Sequence, residues 1–287
     1  MVALRIRHRT EYRYRWPVGL GAHRLMVRPR ESRDLRVVSS EVFVTPSASV
    51  TWAEDVFGNA VATAVFSGLW DTLVIESVVA LELDAAPWPV FDIAPSAVVF
   101  PFRYSDAEWT DLGALTLPQY ADASGILRGW AWGFVRGATT DTLSLLKDLS
   151  EGVSASIAYE AREVEGTQTP VETLGRRAGS CRDLAVLFVE AARSLGFGAR
   201  IVSGYLHSPD QSLIGSADAG STHAWGEVFV PGAGWITFDP TNRSLGGANL
   251  IPVGVARDIA QVMPVSGSFI GAPDAFAGMT VQVTVGA

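Results

Sequence analysis

A chain of 287 residues in which 48% of side chains are hydrophobic and 18% charged has ample apolar surface for a large core, which excludes an intrinsically disordered protein. Its net charge of −8, with arginine supplying nearly all of the positive charge, leaves no basic footprint of the kind nucleic acid requires. The single cysteine excludes an internal disulfide framework, and no run approaches the roughly eighteen uncharged apolar residues of a membrane-crossing helix.

The first ten residues alternate apolar and polar side chains where a secretion signal would be unbroken and apolar. With the lone thiol, this predicts a cytoplasmic protein. Leu4 and Ile6, then Tyr12 and Tyr14, alternate with arginines, predicting a half-buried strand or hairpin over 3–15. Short strands are predicted at about 24–28, 35–44, 49–54, 60–66 and 73–83, separated by turn residues at Pro29, Thr45-Pro46, Gly58-Asn59 and Ser67-Gly68. No helical period competes with them. An N-terminal antiparallel β-sandwich over 1–95 is expected, leaving 96–287 for a second domain.

Prolines at 87, 89, 95 and 101 make 85–106 an extended connector. Helices are predicted near 126–134 and 142–149, the second capped by Asp141; Trp130, Trp132 and Phe134 in the first are core or groove-lining residues. Thr169, Pro170 and Glu172 spell a capping box ahead of a short helix that ends before Gly179.

Next comes Gly179-Ser180-Cys181-Arg182-Asp183. Leu184, Leu187, Phe188, Ala191 and Leu195 then recur at helical spacing, so one face of a helix is predicted to pack inward. Cys181 falls at the helix N-terminus, where unpaired N–H groups and the helix dipole favour a thiolate. A buried strand follows at 199–206, then an aperiodic loop, 207–220, that is a candidate flap. His223 lies on the next strand, and Asp239 on the strand after a turn at 231–233. With three residues in that turn, Val230 faces Gly234, and His223 and Asp239 share a face; four residues would separate them. Strand candidates at 251–255 and 279–285 close the chain, the last expected to extend the second domain's sheet. Histidines are scattered and no His-x-x-x-His or Cys-x-x-Cys spacing occurs, so neither metal nor other cofactor is expected.

Cys181, His223 and Asp239 have the types and order of a nucleophile, a base and an orienting carboxylate. Together with Arg200-Ile-Val-Ser-Gly-Tyr205, His223-Ala-Trp225 and Trp235-Ile-Thr-Phe-Asp239-Pro-Thr-Asn242, the segment resembles the transglutaminase-like superfamily, which shares its Cys-His-Asp chemistry with papain-type peptidases. His8-Arg-Thr-Glu-Tyr-Arg-Tyr14, Arg28-Pro29 and Asp55-Val-Phe-Gly-Asn59 resemble the N-terminal region of bacterial members. The resemblance spans nearly the whole chain. It implies an α+β fold, with the nucleophile at the N-terminus of a helix packed on an antiparallel sheet. It also implies catalysis by Cys181, His223 and Asp239 through a thioester, with Arg182 and Asp183 in supporting roles; Asn242 is expected either to hydrogen-bond near His223 or to shape the turn after Pro240. Hydrolysis of a peptide or isopeptide amide is the expected reaction, because no acidic tunnel for a second amine is recognisable. Protein-glutamine γ-glutamyl transfer and a silent peptide-binding module are the alternatives. The expected partner is a peptide or protein substrate, with no nucleic acid and no membrane. The Cys181 N–H is the first oxyanion donor, and no second donor is identified.

Overall fold

The computed structural model describes residues 1–137, 139–162, 166–208, 211–215 and 220–286. The chain opens with six strands: β1 (Val2–Leu20), β2 (His23–Leu25), β3 (Leu35–Thr45), β4 (Ser49–Glu54), β5 (Ala60–Val65) and β6 (Leu69–Leu83). The alternation in β1 does what period two requires. Leu4, Ile6, His8 and Thr10 are buried, while the arginines between them stay at the surface. Arg7 of β1 and Arg36 of β3 form ion pairs across the surface of the sheet, reaching Glu76 and Glu82 of β6 at 2.8 and 2.7 Å.

The chain then crosses to its second half through β7 (Val99–Phe100), α1 (Asp106–Leu112), α2 (Ile126–Trp132), β8 (Thr140–Asp141), α3 (Thr142–Ser156), β9 (Ala158–Tyr159), α4 (Pro170–Arg176), β10 (Ala178–Gly179) and α5 (Cys181–Ser194). Within the connector expected to be extended, 85–106, the regular pieces are a single tight turn of helix at Pro95–Ala97 and β7, and α1 begins only at its last residue. Ser105 and Glu108 close a capping box at the start of α1, whose exposed, mostly polar residues give no apolar stripe to detect. Asp141 caps α3, and Thr169 with Glu172 caps α4, as their sequences predict.

A five-stranded antiparallel sheet follows: β11 (Ala199–His207), β12 (Gly220–Val230), β13 (Gly234–Asp239), β14 (Ser244–Leu245) and β15 (Leu250–Ala256), in the order β14-β13-β12-β11-β15. Helix α5 lies against β12 and β11 and is flanked by α2, α3 and α4. The sequence predicts one inward face, but the helix is enclosed on all sides, and every residue from 183 to 193 is buried. Its polar members are paired. Arg193 Nη1 donates to Glu190 Oε1 at 2.6 Å, and the other Glu190 oxygen accepts the backbone N–H of Gln119 and Tyr120.

The last three strands, β16 (Val265–Ser266), β17 (Phe269–Ile270) and β18 (Phe276–Gly286), return to the N-terminal half. β16 pairs with β2, β17 with the end of β1, and β18 with β1 from Arg5 to Tyr14. This corrects the expectation that the last strand extends the second sheet. Residues 1–95 do not complete the N-terminal sheets alone, and the expected 96–287 unit gives up its final strands to them. The result is two antiparallel sheets, β16-β2-β5-β4 and one ordered β1-β6-β3 with β17 and β18 on the outer side of β1. One apolar cluster runs from Leu4, Ile6, Val79 and Leu81 to Leu184, Phe188 and Val228, so the two halves share a core.

Candidate active site

The site is assembled from the start of α5 and the β12–β13 hairpin. Val230 pairs with Gly234 and Gly226 with Phe238, which is the register of the three-residue turn. Gly226 faces α5, where an added Cβ would lie 2.6 Å from Phe188, and the Phe238 ring packs beside Phe188 at 5.2 Å between centroids. His223 and Asp239 therefore share the opposite face. Their side chains meet there, His223 Nε2 lying 2.8 Å from Asp239 Oδ2.

Both residues are almost completely buried. Asp239 Oδ1 accepts the backbone N–H of Thr241 at 2.9 Å and of Asn242 at 3.3 Å, and Asn242 Nδ2 donates to Oδ2 at 2.8 Å. The Asn242 side chain also accepts the Ile214 N–H at 2.7 Å, linking the carboxylate to the loop ahead of β12. That loop was the candidate flap; its residues 209–210 and 216–219 lie outside the described residues. The Trp225 ring lies beside His223, with centroids 6.2 Å apart and planes 28° apart.

Cys181 is the first residue of α5 and is half-buried. The helix start is held by Asp183, fully buried, whose Oδ2 accepts the Ser180 N–H and hydroxyl at 2.8 Å each. Its other oxygen accepts the Gln168 N–H at 2.7 Å and Arg162 Nη2 at 2.8 Å. Arg182 Nη2 donates to the Arg162 carbonyl at 3.2 Å. Asp183 and Arg182 thus clamp the segment before α4 to the helix N-terminus.

The three groups perturb one another. Burial pushes the Cys181 thiol up. The hydrogen bond and charge of His223, the Ala224 backbone N–H and the Arg182 charge together outweigh it, leaving the thiol below its ordinary value. Burial pushes His223 down, but Asp239 by charge and hydrogen bond, helped by Cys181, lifts it to about 10. Burial likewise pushes Asp239 up, and His223, Asn242 and Thr241 hold it below the usual carboxylate range. All three shifts run in the direction that favours a thiolate, an imidazolium and a carboxylate together. Because Nε2 is engaged by Asp239, Nδ1 is the imidazole atom left for sulfur; it is buried and makes no hydrogen bond of standard geometry, a loose contact common in unliganded Cys-His sites.

This geometry accompanies clear likeness to known proteins. Residues 128–240 match the model of the transglutaminase-like superfamily, and residues 4–82 match that of the bacterial transglutaminase-like N-terminal region. The chain belongs to the transglutaminase-like superfamily. Its relatives include an uncharacterized protein of Mycobacterium tuberculosis, 27% identical over 92% of this chain and 86% of that protein. An uncharacterized protein of Mycobacterium leprae is 24% identical over 99% of both. Among solved structures, a candidate cysteine protease from Cytophaga hutchinsonii superposes with a TM-score of 0.73 over 99% of this chain and 91% of that one, at 17% identity. That likeness establishes a shared transglutaminase-like fold.

Of the other residues singled out by sequence, Trp130 and Phe134 pack together against the core, and Trp132 is 43% exposed against Phe100. Sequence reasoning missed the Ala224 N–H and Tyr159, whose phenol is raised in part by the charge of Cys181. A backbone donor carries no side-chain signal, and Tyr159 reaches the site through a two-residue parallel pairing, β9 with β10, too short to leave a period. Among the described residues no group of three or more His, Cys, Asp or Glu is placed to hold a metal ion, and no helix is long and apolar enough to cross a membrane.

Proposed function

We propose that this transglutaminase-like protein is a cysteine peptidase or amidase that cleaves peptide or isopeptide amides, with Cys181 as nucleophile, His223 as acid and base, and Asp239 as its orienting carboxylate. The observation that carries the reading is the placement of a half-buried cysteine at the first position of α5 beside a buried His223–Asp239 pair 2.8 Å apart. The thiolate attacks the carbonyl carbon, forming a C–S bond and an oxyanion. The imidazolium gives its proton to the departing nitrogen as the C–N bond breaks, leaving a thioester and a neutral imidazole. That imidazole then removes a proton from water as the water attacks the thioester, and collapse releases the acid and restores the ion pair. Asp239 keeps the ring oriented throughout.

The test is a casein tryptic digest incubated with the protein and its Cys181→Ala variant, with and without monodansylcadaverine, read by mass spectrometry. New peptide termini or released ammonia that depend on Cys181 support the reading. Amine incorporation into glutamine side chains faster than either would overturn it in favour of γ-glutamyl transfer. Absence of all three, with a Cys181 thiol as sluggish as a free one, would leave a peptide-binding module.

A further inference from the structure

An acyl-transfer site of this kind needs two donors around the oxygen that becomes an oxyanion. One is available in the N–H of Cys181, which as the first residue of α5 has no partner within the helix. We propose that the second is the hydroxyl of Tyr159, donating to the oxyanion formed when the Cys181 sulfur attacks a carbonyl. This inference rests on the nucleophilic role of Cys181 proposed above.

The backbone places Tyr159 beside the nucleophile. In the β9–β10 pair, Tyr159 lies opposite Gly179, two residues before Cys181. The Ala158 N–H donates to the Arg177 carbonyl at 2.8 Å and the Glu160 N–H to the Gly179 carbonyl at 2.9 Å, so the main chain on either side of Tyr159 is tied to the segment that delivers Cys181. The ring's anchor and the start of α5 are therefore one rigid unit, which is what a preorganised donor requires.

The side chain is half-buried, and its hydroxyl makes no hydrogen bond among the described residues. It lies under the loop that precedes β12: a Cβ added to Gly215, where φ is +81°, would lie 2.9 Å from the Tyr159 oxygen. A side chain at 215 would press on the hydroxyl, so the glycine leaves room there as well as accepting the positive φ. Burial, then the negative charge of Cys181, push the phenol above its ordinary value, opposed by Arg182. A phenol so placed keeps its proton wherever the thiolate–imidazolium pair exists and acts purely as a donor. An unused donor whose backbone is tied to the segment delivering Cys181, and which lies within range of that residue's charge, is placed to serve the negative charge that moves during attack from sulfur to the carbonyl oxygen.

Two reactions of the same sulfur separate this role from mere positioning. Acylation by p-nitrophenyl acetate transfers the acetyl group to Cys181 and expels p-nitrophenolate through a tetrahedral oxyanion, whereas alkylation by iodoacetamide displaces iodide at a saturated carbon and forms none. The Tyr159→Phe variant is expected to lose about a hundredfold in the p-nitrophenolate burst rate, within the range for loss of one oxyanion donor, while its alkylation rate and pH profile stay within about twofold of the parent. Unchanged acylation, or acylation and alkylation falling together, would overturn the proposal, the second result marking Tyr159 as a support for the thiolate or for folding. Failure of the unsubstituted protein to undergo either reaction at neutral pH would instead sink the nucleophilic role of Cys181 itself.

Discussion

Burial works against charge at Cys181, His223 and Asp239 alike, so the ionised state of the site depends on each group's partners. His223 has the most at stake. Without the 2.8 Å contact to the Asp239 carboxylate, burial alone would leave the ring neutral at pH 7. The Asp239→Asn substitution keeps the shape and removes the charge. His223 is then expected to fall from about 10 to below its ordinary 6.5, and the thiol to rise toward the free-cysteine value of about 8.5. The iodoacetamide rate as a function of pH reads this directly: its midpoint moves upward in Asp239→Asn, and an unmoved midpoint would show that the carboxylate does not hold the ion pair.

At the scale of elements, the site depends on how α5 begins. Asp183 accepts hydrogen bonds from Ser180, Gln168 and Arg162 with no exposure to solvent, and Arg162 is itself only 24% exposed. Asp183→Ala strands a half-buried guanidinium and two backbone donors. It is expected to cost about 3 kcal/mol or more, seen as a lower urea midpoint with an unchanged slope; a loss under about 1 kcal/mol would mean that the clamp is solvated. Much of this level was legible in sequence. The α5 repeat, the Thr169–Glu172 box and the parity of a three-residue turn after Val230 follow from local spacing, and the β12–β13 register agrees with that turn. What was not legible was non-local. The alternation of 279–285 marks a strand but carries no information about its partner, and β18 chose β1, at the other end of the chain, over the nearby sheet. The two-residue β9–β10 pair has no period at all, so Tyr159 remained invisible.

Across the whole molecule, the N-terminal sheets are fastened to the second sheet by buried polar contacts. Asn59, completely buried, hydrogen-bonds the backbone of Val255 in β15 both ways, at 2.8 and 2.9 Å, and accepts from Arg30 at 2.6 Å. This gives physical content to the Asp55-to-Asn59 motif: its side-chain amide extends the ladder of β15. His8 of β1 shares a 3.0 Å hydrogen bond with Tyr205 of β11, and burial holds it down to about 4. A folded value below the unfolded 6.5 means that the unfolded chain takes up the proton first. Stability is therefore unaffected by this group above about pH 6.5 and falls as pH drops from there toward 4, by about 3 kcal/mol at the limit. Urea titrations of the parent and His8→Gln at pH 7 and pH 4.5 test it. The parent is expected to lose more stability than the variant over that interval, and equal losses would contradict the assignment.

The central claim is that Cys181 and His223 form a thiolate–imidazolium pair, and the most direct measurement is the pH dependence of Cys181 alkylation by iodoacetamide in the parent and in His223→Ala. The account predicts rapid alkylation that persists below about pH 7 in the parent, and in the variant a rate that rises only near the free-thiol value of about 8.5. A parent thiol that titrates near 8.5, with or without His223, would contradict it.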